Sequence, residues 1–222
     1  MDQPRVTLRR YTRLAPLLHL LQTGRFTMLD ASRWDDRNDA HFLELYKLHK
    51  KCGSVLAACF AQTAETYHHW RVFSHGDDGV CIEFNRQLLE AQLERHGVKC
   101  ADVDYRTIDQ LRAKPLTVDE LPFVKRFPYR DECEFRAVFE TGDPKCTSKE
   151  FEIDLSCLTR INLSPWMHES LSNFVKLVLE KLVENASVDL NRSQLISYQR
   201  WKDAAERHLP ALDHTNSGTS AT

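Results

Sequence analysis

The stretch from His68 to Phe84 places the tightest constraint on how this chain can fold. It begins as an aromatic and basic helical turn around Trp70-Arg71-Val72-Phe73. It passes through a polar loop and ends in an apolar strand, Val80 to Phe84. The loop holds Gly76 and Gly79, two of only seven glycines in the chain, with Asp77 and Asp78 between them. Turn chemistry is therefore concentrated between a cationic aromatic segment and a buried one. Large polar side chains around such a turn are the sequence form of a ligand pocket.

The other elements arrange themselves around this stretch. Val6 to Tyr11 alternates as a short strand, with Val6, Leu8 and Arg10 on one face and Thr7, Arg9 and Tyr11 on the other. Leu14, Leu17, Leu18 and Leu21 recur at helical spacing over Arg13 to Thr23, with Pro16 in the first turn and Gly24 at the C-terminal cap. Phe26 to Leu29 reads as a strand, Asp30 to Asp39 as a polar loop, and Phe42 to Lys51 as a helix. Val55 to Phe60 is a compact apolar run, predicted as a central strand. Thr63 and Thr66 are candidate caps for the short helix carrying Trp70, and Asn85 caps a helix from Arg86 to Arg95. Lys99 to Tyr105 reads as a strand, while prolines at 115, 122 and 128 break up Thr107 to Pro128. Further strands are expected over Asp131 to Glu140, Phe151 to Leu155 and Leu158 to Leu163. Helices follow at Glu169 to Glu184 and Ser197 to His208. We see no internal repeat and no long linker, which implies a single α+β domain over residues 1–210. A small polar stretch over 211–222 is expected to be a disordered tail.

The strand after Asp131 carries the sharpest chemistry. Alternation puts Glu132, Glu134, Arg136 and Val138 on one face, and Cys133, Phe135, Ala137 and Phe139 on the other. One reading is an exposed face with a cross-strand ion pair. The other is a carboxylate pair lining a cleft, one member oriented by Arg136 and the other serving as acid, base or electrostatic stabiliser. Arg9-Arg10-Tyr11 and Trp70-Arg71 are either solvated and core features, or arginines forked onto phosphate beside a stacking ring. Ten histidines raise the question of a metal, but His68 and His69 are adjacent and project about 100° apart on a helix. No HExxH, Walker, GxGxxG or GxSxG pattern is present. No metal site is expected.

A net charge of −2 gives no bulk attraction to nucleic acid or anionic membrane, so phosphate contacts would have to come from local basic groups. Seven cysteines in no CxxC or regular spacing, an N-terminus without an apolar leader core and no apolar run of about 20 residues imply a cytoplasmic chain with reduced thiols.

In order, the motifs resemble a bacterial domain-of-unknown-function family, two-nine-seven-one. The resemblance is carried by Arg10-Tyr11, then Gly24-Arg25-Phe26 through Asn38-Asp39. It continues with Ala58-Cys59-Phe60, Trp70 to Phe73 with Gly79 to Phe84, and Lys125 through Arg136. It runs from about residue 8 to about residue 200. Two departures stand out: Ala40 follows Asp39 where members carry proline, and Cys59-Phe60-Ala61 replaces Ser-Phe-Ser. More distantly, the motif order is similar to that of the ADP-ribosyltransferase fold. That likeness implies two small, mainly antiparallel sheets with helices packed around them and a central cleft. It implies NAD as substrate, Arg10 or Arg71 holding the pyrophosphate, and Tyr11, Trp70 and Phe73 around the nucleotide. It also implies Glu134 as the catalytic glutamate and Glu132 at an unidentified acceptor, protein or nucleic acid, with a bacterial defence or stress system as the expected setting. The rival expectation is a non-catalytic nucleotide- or protein-binding module on the same scaffold.

Overall fold

The structure, a computed structural model, describes residues 7–208 apart from His75 and Asn185. The expected polar tail at 211–222 lies outside the described residues, as does Val6 at the start of the first strand.

The elements in order are β1 (Thr7–Arg13), α1 (Leu14–Thr23), β2 (Arg25–Asp30), α2 (Arg37–Lys50), β3 (Ser54–Ala61) and α3 (Tyr67–His69). There follow β4 (Gly79–Asn85), α4 (Arg86–Arg95), β5 (Lys99–Asp102), β6 (Asp104–Arg106), α5 (Ile108–Ala113) and β7 (Val124–Arg126). The chain ends with β8 (Glu134–Thr141), β9 (Ser148–Glu152), β10 (Leu158–Leu163), α6 (Glu169–Leu182), β11 (Asp189–Arg192) and α7 (Gln199–Glu206). Helices and mainly antiparallel strands make an α+β fold without a barrel.

β3 organises the sheet. One of its edges is paired along its whole length with β8, from Ser54↔Thr141 to Ala61↔Glu134. Its other edge is shared. β2 takes one end through Leu29↔Ala57 and Asp30↔Leu56, and β1 touches the other end at a single position, Arg9↔Ala61. The sheet therefore parts into two arms. One arm runs β1-β4-β10-β11 and the other carries β2-β9 with β3-β8-β5. The two small sheets expected from the sequence are thus arms of one hydrogen-bonded network, joined where β1 crosses the end of β3.

Alternation decides what each face does. Leu8, Leu56, Ala58, Phe60, Ile82, Phe84, Phe135 and Ala137 point into the main core, which α1, α4 and α6 cover with Leu17, Leu20, Leu89, Leu93 and Leu179. The intervening residues, Arg9, Tyr11, Cys59, Ala61, Cys81, Glu83, Glu134 and Arg136, face the opposite side, because directly paired residues share a face. A second, smaller core of Ala31, Leu43, Tyr46, Val55, Ala57 and Val138 holds α2 to that side.

Local chemistry sets the element ends. Gly24 adopts the left-handed conformation, φ 66°, and its N–H bonds to the Leu20 carbonyl, closing α1. Asp36 caps α2, which begins at Arg37 and draws Asp39 into its first turn instead of leaving it in a loop. Thr66, not Thr63, caps the turn carrying Trp70. After α3 the chain widens into a π turn over Trp70–Ser74. Gly76 then takes a φ of 109°, and a side chain at Gly79 would collide with Ser74, which explains both glycines of the loop.

Candidate functional site

β8 begins at Glu134 and not at Asp131. Phe127–Glu132 winds into 3-10 turns, and Cys133 takes a left-handed φ of 43° before the strand starts. Glu132 is therefore off the strand, but it still meets Glu134, through a residue the sequence did not single out. Lys125 on β7 lies 2.5 Å from Glu132 Oε2, 3.3 Å from Glu134 Oε2 and 3.4 Å from Asp39 Oδ2. Arg136 completes the group. Its Nε lies 2.6 Å from Glu134 Oε1 and one of its terminal nitrogens 2.9 Å from Oε2, a fork on one carboxylate. The same nitrogen reaches Asp39 at 2.8 Å, and the other donates to the Pro122 carbonyl at 2.8 Å. Trp34 lies under the guanidinium, 4.9 Å away.

This face is buried, so the exposed ion-pair reading does not hold: Glu134 is 5% and Arg136 1% exposed. Burial pushes the Glu134 carboxyl up, but Arg136 and Lys125 outweigh it and hold the pKa at about 2. Burial dominates at Asp39 and Glu132, and both are raised, Asp39 despite Arg136 and Lys125 and Glu132 despite Lys125. The group thus separates its carboxylates into one firmly ionised member and two with greater proton affinity.

Across Ala61 from Glu134 stands Arg9. The register runs Glu83, Arg9, Ala61, Glu134 over four adjacent strands, so Arg9 and Glu134 are two strand spacings, roughly 10 Å, apart on one face. Arg9 donates to Glu83 at 3.0 Å and to the Thr63 carbonyl at 2.6 Å. Arg10 points to the other face, where its guanidinium lies 4.4 Å above Phe26 and donates to the Thr27 carbonyl at 3.2 Å, bridging the gap between β1 and β2. Burial lowers its pKa to about 10, with Cys59 opposing. Cys59 lies on the same face as Arg9 and Glu134, accessible to solvent, with its thiol pushed up by surrounding protein and by Glu134.

The aromatic residues divide in a way the sequence did not reveal. Trp70 is fully buried, its indole N–H bonded to Glu65 at 2.9 Å and its ring edge-on to Tyr11 at 5.3 Å. It anchors the turn and presents no free face. Tyr11 stacks on His69 at 5.4 Å, and Phe73 stacks on His69 at 5.9 Å, giving a three-ring column whose outermost member, Phe73, is 38% exposed. Burial lowers the His69 pKa, and the Glu132 main chain works against that shift. Arg71 is exposed, 4.1 Å above Trp166 and bonded to the Tyr67 hydroxyl at 3.0 Å, on the outer side of the same turn.

The structure thus brings Glu132, Glu134, Arg9, Tyr11 and Phe73 to one side of the sheet, leaves Arg10 spanning the split, and sets Arg71 apart. Two recesses among the described residues lie elsewhere. One of about 60 Å³ lies beside Ala31, Leu43 and Ser54, and an open groove of about 480 Å³ runs between α4 and the Glu152–Ser156 segment. Neither borders Glu134, and neither gathers charged groups as densely, so chemistry and not volume marks the candidate site.

No family model matches the chain, and no curated protein matches it. Among solved structures, it is similar to Thermus sp. 2.9 DarT in complex with ADP-ribosylated ssDNA, at 11% identity and a TM-score of 0.44, covering 87% of this chain and 97% of that one. The complexes of that protein with carba-NAD+ and with NAD+ match at 12% and 10% identity, with TM-scores of 0.42 and 0.41. Both cover 87% of this chain and 98% of the other. Among the described residues, no helix is long and apolar enough to cross a membrane.

Proposed function

We propose that the face between Arg9 and Glu134 is the site of ADP-ribosyl transfer from NAD to an acceptor. The observation that carries this reading is the Glu134 carboxylate, buried yet held ionised with a pKa of about 2, on the same sheet face as Arg9. Breaking the nicotinamide–ribose bond leaves positive charge on the ribose while nicotinamide departs with the bonding pair. A fixed carboxylate in a low-dielectric site stabilises that charge without reorganising. The acceptor then bonds to the ribose carbon, and its proton goes to Glu132. Only one of the Glu132 oxygens is bonded to Lys125, and its raised pKa suits a proton acceptor. Arg9 on this face and the exposed Arg71 on the outer side of the aromatic turn are the cations offered to the pyrophosphate, whereas Arg10 is committed to Phe26 and Thr27 on the core side. Phe73 is the ring with a free face for the nicotinamide, and Tyr11 supports it from behind His69.

A second reading has its own observation. Both oxygens of Glu134 are engaged by Arg136, as in a purely structural ion network, and this favours a nucleotide-binding module without turnover. Calorimetric titration with NAD tests what the two readings share. Binding that weakens at least tenfold in Phe73→Ala is expected, and the absence of any heat of binding overturns both.

A further inference from the structure

The charged face does not end at Glu83. Register carries it on to the edge of the sheet. Glu83 stands opposite Arg9 on β1 and opposite Arg160 on β10, and Arg160 stands opposite Asp189 on β11. Directly paired residues share a face, so the row Arg9, Glu83, Arg160, Asp189 alternates in sign across four adjacent strands. The side chains meet accordingly. Arg9 Nε lies 3.0 Å from Glu83 Oε1; one terminal nitrogen of Arg160 lies 3.9 Å from Glu83 Oε2, and the other 3.2 Å from Asp189.

Arg160 belongs to this row only because β10 is irregular. Leu158 pairs with Phe84 and Arg160 with Glu83, so two steps along β10 match one along β4, and Thr159 is the extra residue of a β-bulge. In an unbroken ladder Thr159 would stand opposite Glu83. Arg160 would then stand opposite Ile82, on the side of the main core. The bulge re-aims one arginine onto one carboxylate.

Glu83 needs that second cation once a ligand draws on Arg9. It is 7% exposed and is bonded to Arg9, whereas Arg160, at 3.9 Å, stands beyond hydrogen-bond reach. Arg9 has its Nε on Glu83 and one terminal nitrogen on the Thr63 carbonyl, which leaves the other terminal nitrogen for a ligand. A pyrophosphate there sets its own negative charges and the buried Glu83 around a single arginine. A buried carboxylate is tolerated only when a cation offsets its desolvation, so sharing Arg9 leaves Glu83 short of charge. Arg160, with its side chain 44% exposed, can close the remaining gap without repacking the core. We propose that Arg160 is a positioning residue for the nucleotide, taking up the Glu83 carboxylate as Arg9 turns its charge to the pyrophosphate. It acts through Glu83 and does not touch the ligand. This role rests on the nucleotide-binding reading of the Arg9 face and names the counter-ion that face requires.

Calorimetric titration of the full chain with NAD, in a double-mutant cycle of Arg160→Met and Glu83→Gln, tests it. Glutamine keeps an acceptor for Arg9 without the charge, and the Arg160 side chain is partly exposed, so both variants are expected to keep the wild-type circular dichroism. Arg160→Met should weaken NAD binding about fivefold, the scale of one partly exposed ion pair, and Arg160→Lys should retain most of the affinity. In the Glu83→Gln background the same Arg160→Met change should leave binding unaltered. Equal NAD affinity in the wild type and Arg160→Met overturns this role and leaves the nucleotide reading standing. A loss that persists undiminished in the Glu83→Gln background overturns it too, because Arg160 then meets the ligand itself. No heat of binding in the wild type overturns the nucleotide reading, and this role with it.

Discussion

Along β8, Phe135 and Ala137 pack into the core under α1, α4 and α6, while Glu134 and Arg136, one residue out of phase, join Asp39 and Lys125 in a buried ion network. The same division runs through β1, where Leu8 enters the core and Arg9 meets Glu83, and through β3, where Phe60 is core and Cys59 looks out. One face is apolar apart from Arg10, which spans the gap beside Phe26 and donates to the Thr27 carbonyl. The other keeps at least five charged groups out of water, at a desolvation cost that only mutual pairing offsets. A sheet face built in that way is held in a single arrangement, as a site for developing charge requires.

The largest effects should come from unbalancing either face. Phe135→Ala is expected to cost about 3–5 kcal/mol in denaturant unfolding by opening a cavity. Arg136→Met should cost a similar amount by stranding Glu134 and Asp39, again about 3–5 kcal/mol. The comparison sharpens in the double variant. Replacing Glu134 by Gln as well should recover much of the Arg136→Met loss, whereas no second change at a neighbouring polar position rescues Phe135→Ala. Equal losses with no recovery would mean that the charged face is held by packing alone.

Acid should separate the faces next. Glu134 has its folded pKa depressed from 4.5 to about 2, so its contribution is complete above the unfolded value and is lost as pH falls from about 4.5 towards 2. In that window the wild type should lose about 1.4 kcal/mol per pH unit relative to Glu134→Gln. Asp39 and Glu132 are raised and act in the opposite sense, favouring the fold more as they protonate, but they are common to both proteins. Parallel stability–pH curves for the two would contradict the pairing.

The aromatic turn holds the smallest stability effects beside a large one, a sharp contrast within four residues. Trp70→Ala should destabilise by about 3–5 kcal/mol, whereas Phe73→Ala and Arg71→Ala, on the surface, should fall within about 0.5 kcal/mol. If Phe73→Ala proves as costly as Trp70→Ala, the ring is a core residue and not a platform.

Much of this division was legible in the sequence. Period-two alternation already separates Leu8 from Arg9 in Val6–Tyr11, and Phe135 from Glu134 after Asp131. What alternation cannot supply is the neighbour across the sheet. Arg10, on the core-side register, drew attention because of its place in a motif, yet Arg9 is the arginine paired in register with Ala61 and Glu83. Lys125 opens the last motif block, but no spacing in that proline-broken segment points to its role, because its three carboxylates are assembled only by tertiary contact. β11 escaped notice because Asp189-Leu190-Asn191-Arg192 is a polar edge strand with no apolar run to read. The burial of Trp70 depends on Glu65 and Tyr11, which spacing within the turn does not disclose.

The most direct test of the central claim is nicotinamide release from NAD by the purified chain, measured for the wild type and for Glu134→Gln with its fold verified. Release by the wild type, reduced by about 10²–10³-fold in the variant as expected when a transition-state electrostatic contact is lost, is the predicted result. Release at the same rate in both proteins would contradict it.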